Sequence, residues 1–445
     1  MAIAITQSRL RNTPMTAHVV DRSVAERTLA RQFAEWVQGE RSPARAAAFA
    51  RFAAVGLPTR RVEAWHYTDL RALMPDAAPI LPAPTRADVE AARSVLARCE
   101  RFAAGARVVL LGGQFIAALS DRLPNGVFVA EEWAIAPNAV HDPLAALNEA
   151  FSPPGCTIKV ARGAKLAEPI MIVHLTTEPS SHSVYSRTTI ALDVEAQASF
   201  VEIFEGAHAG VQRHAATIIT LAEGARATHI AVVGDEPGLH IETQICEVAK
   251  AAKLAAFGLV SGGELTRRQI FVRMTGGGAE LSLGGLALID GARRADTTLQ
   301  VVHAAPAGTS REFYRAIVDD DAVGVFQGKI IVEKAAQKTD GAMKSQAILL
   351  SPRAQMNEKP ELEIFADDVV CGHGATVATL DPEQVFYLQS RGIANNDAKA
   401  MLLEAFGAES IERIEDKLLV DPLRDRLAAW LRSSEGGDSR YRTRQ

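Results

Sequence analysis

The sequence predicts a mainly β protein in which a β-helix core lies between a helical N-terminal region and a C-terminal helical domain. Three observations carry that expectation. A long-period repeat of strand-like runs fills the middle of the chain, amphipathic patterns occupy both ends, and Gly- and Pro-bearing turns divide short apolar runs elsewhere.

The repeat is the strongest of the three. Ala198, Ala225, Ala252 and Ala279 recur every 27 residues. Each follows a small-residue turn, as in Glu223-Gly224 and Gly276-Gly277-Gly278. Each is followed by a polar residue (Ser199, Arg226, Lys253, Glu280) and then an apolar one (Phe200, Ala227, Leu254, Leu281). A fixed period with strand character implies a solenoid, whose coils bury a face only by stacking on their neighbours. A β-sandwich also recurs in short strands but requires no fixed long period. About eight short coils are expected over residues 157–350.

The ends read as helical. Val24, Leu29, Phe33 and Trp36 recur near a helical period over 23–39, with Ser23 placed to cap the start and Gly39 the end. A second helix is expected over 42–55. An aromatic cluster follows, Trp65-His66-Tyr67-Thr68-Asp69-Leu70, in a chain that is only 6% aromatic. The Pro-rich stretch 77–84 reads as a linker, and Val108-Val109-Leu110-Leu111 and Val127-Phe128-Val129 as strands. Near the C-terminus, Asp381 and Pro382 open a helix that runs to Ser390 ahead of Gly392. Asn395 is expected to cap a second helix, with Met401, Leu402, Ala405 and Phe406 on its apolar face. Asp421-Pro422 opens a third, with Leu423, Leu427, Trp430 and Leu431 on one side. The resulting division is 1–150, a β-helix over 151–375, helices over 376–435 and a disordered tail over 436–445.

Composition narrows the function. The 445 residues are 48% hydrophobic and 23% charged, with a formal net charge of −5. That is ordinary for a globular protein and supplies no basic field for nucleic acid. The polar N-terminal stretch 1–20 does not resemble a secretion signal, and no apolar run is long enough for a membrane span. Cys99, Cys156, Cys246 and Cys371 form no CxxC pair and read as free thiols, so a cytoplasmic protein is expected. HExxH, GxSxG and the nucleotide-binding GxxxxGK[ST] loop are absent. The nearest approach, Gly324-Val-Phe-Gln-Gly328-Lys329-Ile330, is one residue short and lacks the magnesium-binding hydroxyl. Any nucleotide used alongside this chain is hydrolysed by another.

The densest group of candidate ligands runs from Glu361 and Glu363 through Asp367 and Asp368 to Cys371 and His373. In a strand, Cys371 and His373 project to one face, and Gly372 and Gly374 leave the backbone open. Thiolate and imidazole suit iron, zinc or copper(I). Two groups fall short of the four that a closed tetrahedral site needs, so the rest must come from another chain. His174, His229 and His303 lie in strand-like runs without partners at ligand spacing and read as structural.

Gly324-Val-Phe-Gln-Gly328, Gln337-Lys-Thr339-Asp, Leu349-Leu350-Ser351, Pro360-Glu-Leu-Glu-Ile, Cys371-Gly-His373-Gly-Ala-Thr and Phe386-Tyr-Leu-Gln-Ser390-Arg391-Gly392 together resemble the SufB/SufD family of iron–sulfur cluster assembly scaffolds. The Trp65–Leu70 element is similar to the SufD branch. The resemblance is specific over 324–405 and looser before. It implies a right-handed parallel β-helix that pairs with a SufB-like homologue. It also implies C-terminal helices that bind a SufC-like ABC ATPase, here through Phe386, Tyr387, Leu388, Arg391, Met401, Leu402 and Phe406. A homodimer in isolation is compatible with it. His373, with Cys371 as a lesser candidate, is implied to meet a transient iron–sulfur cluster at the junction with SufB, no cofactor being held tightly by this chain alone. Where the family commonly has Lys-Cys-Ser-His, this chain has Val370-Cys371-Gly372-His373. The alternative from another class is a stand-alone β-helix that binds or cleaves polysaccharide.

Overall fold

The computed structural model describes residues 22–37, 42–97, 99, 105–132, 142–177, 181–206, 210–234 and 237–432. The expected Gly39 cap, the stretch 1–20 and the tail 436–445 lie outside these residues.

The core is a parallel β-helix of about seven turns. From Gly155–Val160 onward, successive strands alternate between a nine-stranded and a ten-stranded sheet, so every coil adds one strand to each. The coils continue past the expected end at Leu350, through strands Gln355–Ile364 and Val370–Ala378. At the other end, Arg107–Leu111 pairs in parallel with Ile170–Leu175, and Val127–Glu132 pairs antiparallel with Gly155–Val160. The two strands read near residues 108 and 127 thus begin the solenoid.

Ladder register corrects one part of the repeat. Gln197 pairs with Arg226, Arg226 with Lys253 and Lys253 with Glu280. The residue equivalent to Ala225, Ala252 and Ala279 is therefore Ala196, and Ala198 pairs with Ala227. All four equivalent alanines are wholly buried, and each carbonyl accepts the next coil's N–H. The period is 27 residues for two steps, and later steps lengthen to 29, 31 and 30. Strand ladders hold the stack in register while the turns between strands absorb extra residues, so no single period describes it.

Three apolar clusters explain why the strands read as continuous apolar runs. Inward-facing side chains such as Ile172, Phe200, Leu254, Leu283 and Phe326 fill the lumen. The outer face of the nine-stranded sheet lies under helices Val24–Val37, Pro43–Val55 and Pro143–Phe151. The outer face of the ten-stranded sheet lies under the C-terminal helices through Leu403, Ile411, Leu423 and Leu427. A sheet covered on both faces has no reason to alternate polar with apolar residues.

Helix boundaries follow local chemistry. Ser42 accepts from the Arg45 N–H at the start of Pro43–Val55, and Asp381 from Glu383 at the start of Pro382–Ser390. Two expectations change. Helix Asn395–Ile411 begins at Asn395 itself, with Ala394 before it and no side-chain cap. The last helix, Lys417–Arg432, starts a turn before Asp421 because the Asp416 carboxylate accepts the Leu418 N–H, and Pro422 falls inside it.

The Trp65 element locks the N-terminal region onto the solenoid. The Trp65 ring, 1% exposed, lies over the buried Arg267 guanidinium at 4.0 Å. Arg267 donates to the Ala64 carbonyl at 2.7 Å and to Asp296, which also accepts from the Thr68 hydroxyl. A cationic group stacked on an aromatic face and paired with a carboxylate satisfies the charge buried there.

Candidate functional site

The site is built by the end of the solenoid. Strand Val370–Ala378 pairs with Asp340–Leu349 and, among the described residues, has no neighbour on its other side. Among the same residues, strand Gln355–Ile364 pairs only with Val323–Val332. Both present open rows of backbone donors and acceptors. Phe365 is 61% exposed and Val370 73%, with Ile364 and Val377 also exposed.

On Val370–Ala378, Cys371 pairs with Gly341 and His373 with the buried, lumen-facing Met343. Cys371 and His373 therefore share the inward face of the last coil, as their spacing predicts. Their surroundings differ. Cys371 is half-buried against the lumen core, whereas His373 is exposed because no further coil covers it. A Cβ on either Gly372 or Gly374 would meet nothing within 4 Å, so the backbone around His373 stands clear.

Two columns of inward side chains run back from this pair. One is Ser310, Gly341, Cys371 and the other is Glu312, Met343, His373. Glu312 is 2% exposed and lies beside the equally buried Ser310 hydroxyl. Burial pushes its pKa up to about 8, against the pull of the Ser310 hydroxyl and Arg311. On the facing strand, burial raises Glu358 to about 7. One of its oxygens accepts from Ser345 at 2.9 Å and the other is buried without a partner. The Cys371 thiol is itself pushed up, first by burial and then by the nearby Asp340 and Glu312 carboxylates, while the Gly341 backbone opposes the shift. Sequence reading missed Glu312 and Glu358. Glu312 lies between Arg311 and Phe313 and Glu358 between Asn357 and Lys359, contexts that do not reveal whether either faces the lumen.

Among the described residues, no three His, Cys, Asp or Glu side chains converge closely enough to hold a metal ion. Cys156 and Cys246 are buried, with burial raising both thiols to about 12. His174 and His229 sit in the lumen, where His174 Nε2 contacts one oxygen of Glu202 at 2.6 Å and His229 Nε2 the other at 3.0 Å. They hold the Glu202 carboxyl far below its usual range despite full burial, and the Thr217 hydroxyl also donates to it at 2.8 Å.

The C-terminal helices divide the remaining candidates. Phe386 is 71% exposed and Tyr387 57%, with Arg391 stacked on the Tyr387 ring at 5.2 Å. Met401 is exposed, and Leu388 and Leu402 are partly so. Phe406 turns the other way. Its ring lies 4.2 Å from the Arg315 guanidinium and its carbonyl accepts from Arg315, which also pairs with Glu409. The helix buries Ala398, Leu403, Gly407 and Ile411, a stripe rotated from the one expected, so Phe406 joins the helix to the sheet.

The sequence model described as "SUF system FeS cluster assembly, SufBD core domain" matches residues 174–406, the stretch that holds most of the solenoid and the terminal coil. The chain is similar to the iron–sulfur cluster assembly protein SufD of Escherichia coli, at 31% identity over 378 residues, covering 81% of this chain and 86% of the relative. A SufBD family iron–sulfur cluster assembly protein of Synechocystis is 28% identical over 392 residues, covering 80% and 84%. SufD of Bacillus subtilis is 24% identical over 277 residues, covering 61% and 63%. The chain therefore belongs to the SufBD family of iron–sulfur cluster assembly proteins.

Proposed function

We propose that this chain is the SufD-like subunit of a cytoplasmic SufB–SufC–SufD complex, a non-catalytic scaffold that helps build iron–sulfur clusters as cargo. The observation that carries the reading is the uncapped last coil. It joins open strand edges and exposed apolar side chains to an exposed His373 beside Cys371. An open edge of this kind favours pairing with a second β-helix, and a SufB-like homologue is the proposed partner. In isolation the same edge pairs two copies of the chain. His373, and more weakly Cys371, then supplies part of a ligand set that the partner completes, so the cluster lies at the junction.

The SufC-like ATPase docks on the exposed side of the C-terminal helices, through Phe386, Tyr387, Leu388, Arg391, Met401 and Leu402. The chain's lack of a nucleotide-binding loop supports a partner that hydrolyses ATP. Among the described residues, the exposed aromatics Phe128, Phe365, Phe386 and Tyr387 fall at the solenoid's ends and on a C-terminal helix. They do not form the sugar-gripping row that a polysaccharide-active β-helix needs.

The test is anaerobic purification of the tagged chain from its own cells, with identification of what accompanies it. A SufB-like homologue and an ABC ATPase in defined ratio are expected, and a chain that purifies without either refutes the complex. His373→Ala is expected to assemble the complex normally but to fail in cluster assembly. Undiminished assembly by that variant removes His373 from the site.

A further inference from the structure

A pocket of about 230 Å³ opens on the outer face of the nine-stranded sheet, where the Trp65 element meets the solenoid. Val62, Glu63 and Ala64 form one wall and Asp142 another, over strands Leu265–Met274, Arg294–His303 and Val323–Val332. The volume falls below the roughly 300–1,000 Å³ that drug-sized ligands take, and suits a smaller molecule.

Two glutamines on its floor are the telling feature. Gln269 is 1% exposed and Gln327 4%. The Gln269 amide nitrogen donates to the Asp142 carboxylate at 2.7 Å and to the Thr243 hydroxyl at 2.9 Å. The Gln327 nitrogen donates to the Ala64 carbonyl at 3.0 Å and to the Thr298 hydroxyl at 3.3 Å. Only the nitrogen end of an amide can serve a carboxylate or a carbonyl, so both groups are fixed in orientation. Each has committed its two N–H donors to the protein, and each Oε1 accepts from no described residue. Rigid acceptors on buried side chains, left unsatisfied at a pocket, call for a donor. Gln300 adds an amide that no described residue engages, and Phe271 an apolar surface.

The charges around the pocket are already matched. Asp142 accepts from the Leu144 and Ala145 N–H groups as well as from Gln269. Arg267 pairs with Asp296, and Lys329 with Glu363 at 2.8 Å. Lys359 bridges Glu63 at 3.0 Å and Glu361 at 3.2 Å. No charge is left over to select an ion. The vacant hydrogen-bonding positions therefore favour a neutral molecule bearing O–H groups, which donate and accept alike.

We propose that this pocket binds a small neutral polyol, a single sugar or cyclitol ring, whose hydroxyls donate to the Gln269 and Gln327 oxygens and engage the Gln300 amide while a C–H face lies on Phe271. The inference goes beyond the scaffold reading and does not depend on it. Amide oxygens that the protein already holds in place lose no rotamer freedom on binding, the cost that weakens contacts to mobile side chains. A single ring is meant, since Phe271 is the one aromatic side chain that lines the pocket among the described residues.

The experiment is a ligand-observed NMR titration of the purified full chain with D-glucose, D-galactose, D-mannose and myo-inositol. Cyclohexanol, a comparable ring with a single hydroxyl, is the control. At least one polyol is expected to bind saturably with a Kd of about 1 mM, at least about tenfold more tightly than cyclohexanol. Gln327→Met removes one pocket oxygen, while the Ala64 carbonyl still accepts from Arg267 and keeps the Trp65 element in place. That variant should weaken the polyol about fivefold, for one lost hydrogen bond, and leave cyclohexanol unchanged. Gln300→Trp fills the pocket and should abolish binding of both, with the melting temperature unchanged. The proposal is overturned if no polyol binds, or if cyclohexanol binds as well as the polyols do. Polyol affinity that neither variant lowers also overturns it, because the ring then sits elsewhere. No partner or cluster enters the measurement, so its failure leaves the His373 test of cluster assembly standing.

Discussion

His214 offers the most direct test of how the N-terminal helices are held. Its ring stacks on Tyr185 at 4.8 Å and 10°, and Tyr185 stacks in turn on Phe151 of the covering helix. The ring is 1% exposed, and neither of its nitrogens has a hydrogen-bond partner. Burial alone pushes its pKa down from 6.5 to about 3. Unfolding frees the ring to bind a proton at any pH below 6.5, whereas the folded ring stays neutral until about pH 3. Above pH 6.5 the group contributes nothing to pH dependence. Below it, stability falls as pH falls, by about 1.4 kcal/mol per pH unit. At pH 5 the penalty is about 2 kcal/mol. His214→Phe keeps the stack and loses no hydrogen bond, so it should remove this penalty. Urea unfolding at pH 7.5 and pH 5 measures it: the variant should gain about 2 kcal/mol on the wild type between the two conditions. Equal pH dependence in both proteins refutes the argument that a neutral, unpartnered His214 is buried in that stack.

Other outcomes follow from the same geometry. Trp65→Ala should cost about 3–5 kcal/mol, because a fully buried ring is lost and Arg267 loses its aromatic cover; thermal unfolding measures it, and early proteolysis within the N-terminal helices should accompany it. Glu202→Ala should destabilise by about 3–5 kcal/mol, since two lumen histidines lose their shared carboxylate; a solenoid of unchanged melting temperature contradicts this. Phe386→Ala combined with Tyr387→Ala should weaken ATPase binding at least about tenfold, as loss of exposed aromatic anchors does, with the melting temperature unchanged. Removing everything after Gly374 is a poorer test of that dock. It would uncover Val201, Ile203, Leu259 and Leu286, which the C-terminal helices cover.

The parts of this molecule that were legible in its sequence are those governed by local chemistry. Asp381 and Pro382 start a helix by capping and pre-set backbone, whatever surrounds them. Cys371 and His373 share a face because the strand period is two. The 27-residue spacing announced a solenoid but placed Ala198 two residues out of register, because turn length varies from coil to coil. Phe406 read as part of a free apolar face, whereas Arg315, 91 residues away, draws it to the sheet.

What the sequence determined alone was therefore architecture and family. A stack of similar coils repeats its short-range pattern, and that repetition is visible without coordinates. Burial and direction were decided by tertiary structure. Glu312 is an unremarked acidic residue until stacking turns it into the lumen, opposite Met343. Gly341 is one small residue among many until register sets it between Ser310 and Cys371. His373 is exposed because the stack ends there, which depends on how many coils have formed and on nothing in the motif itself.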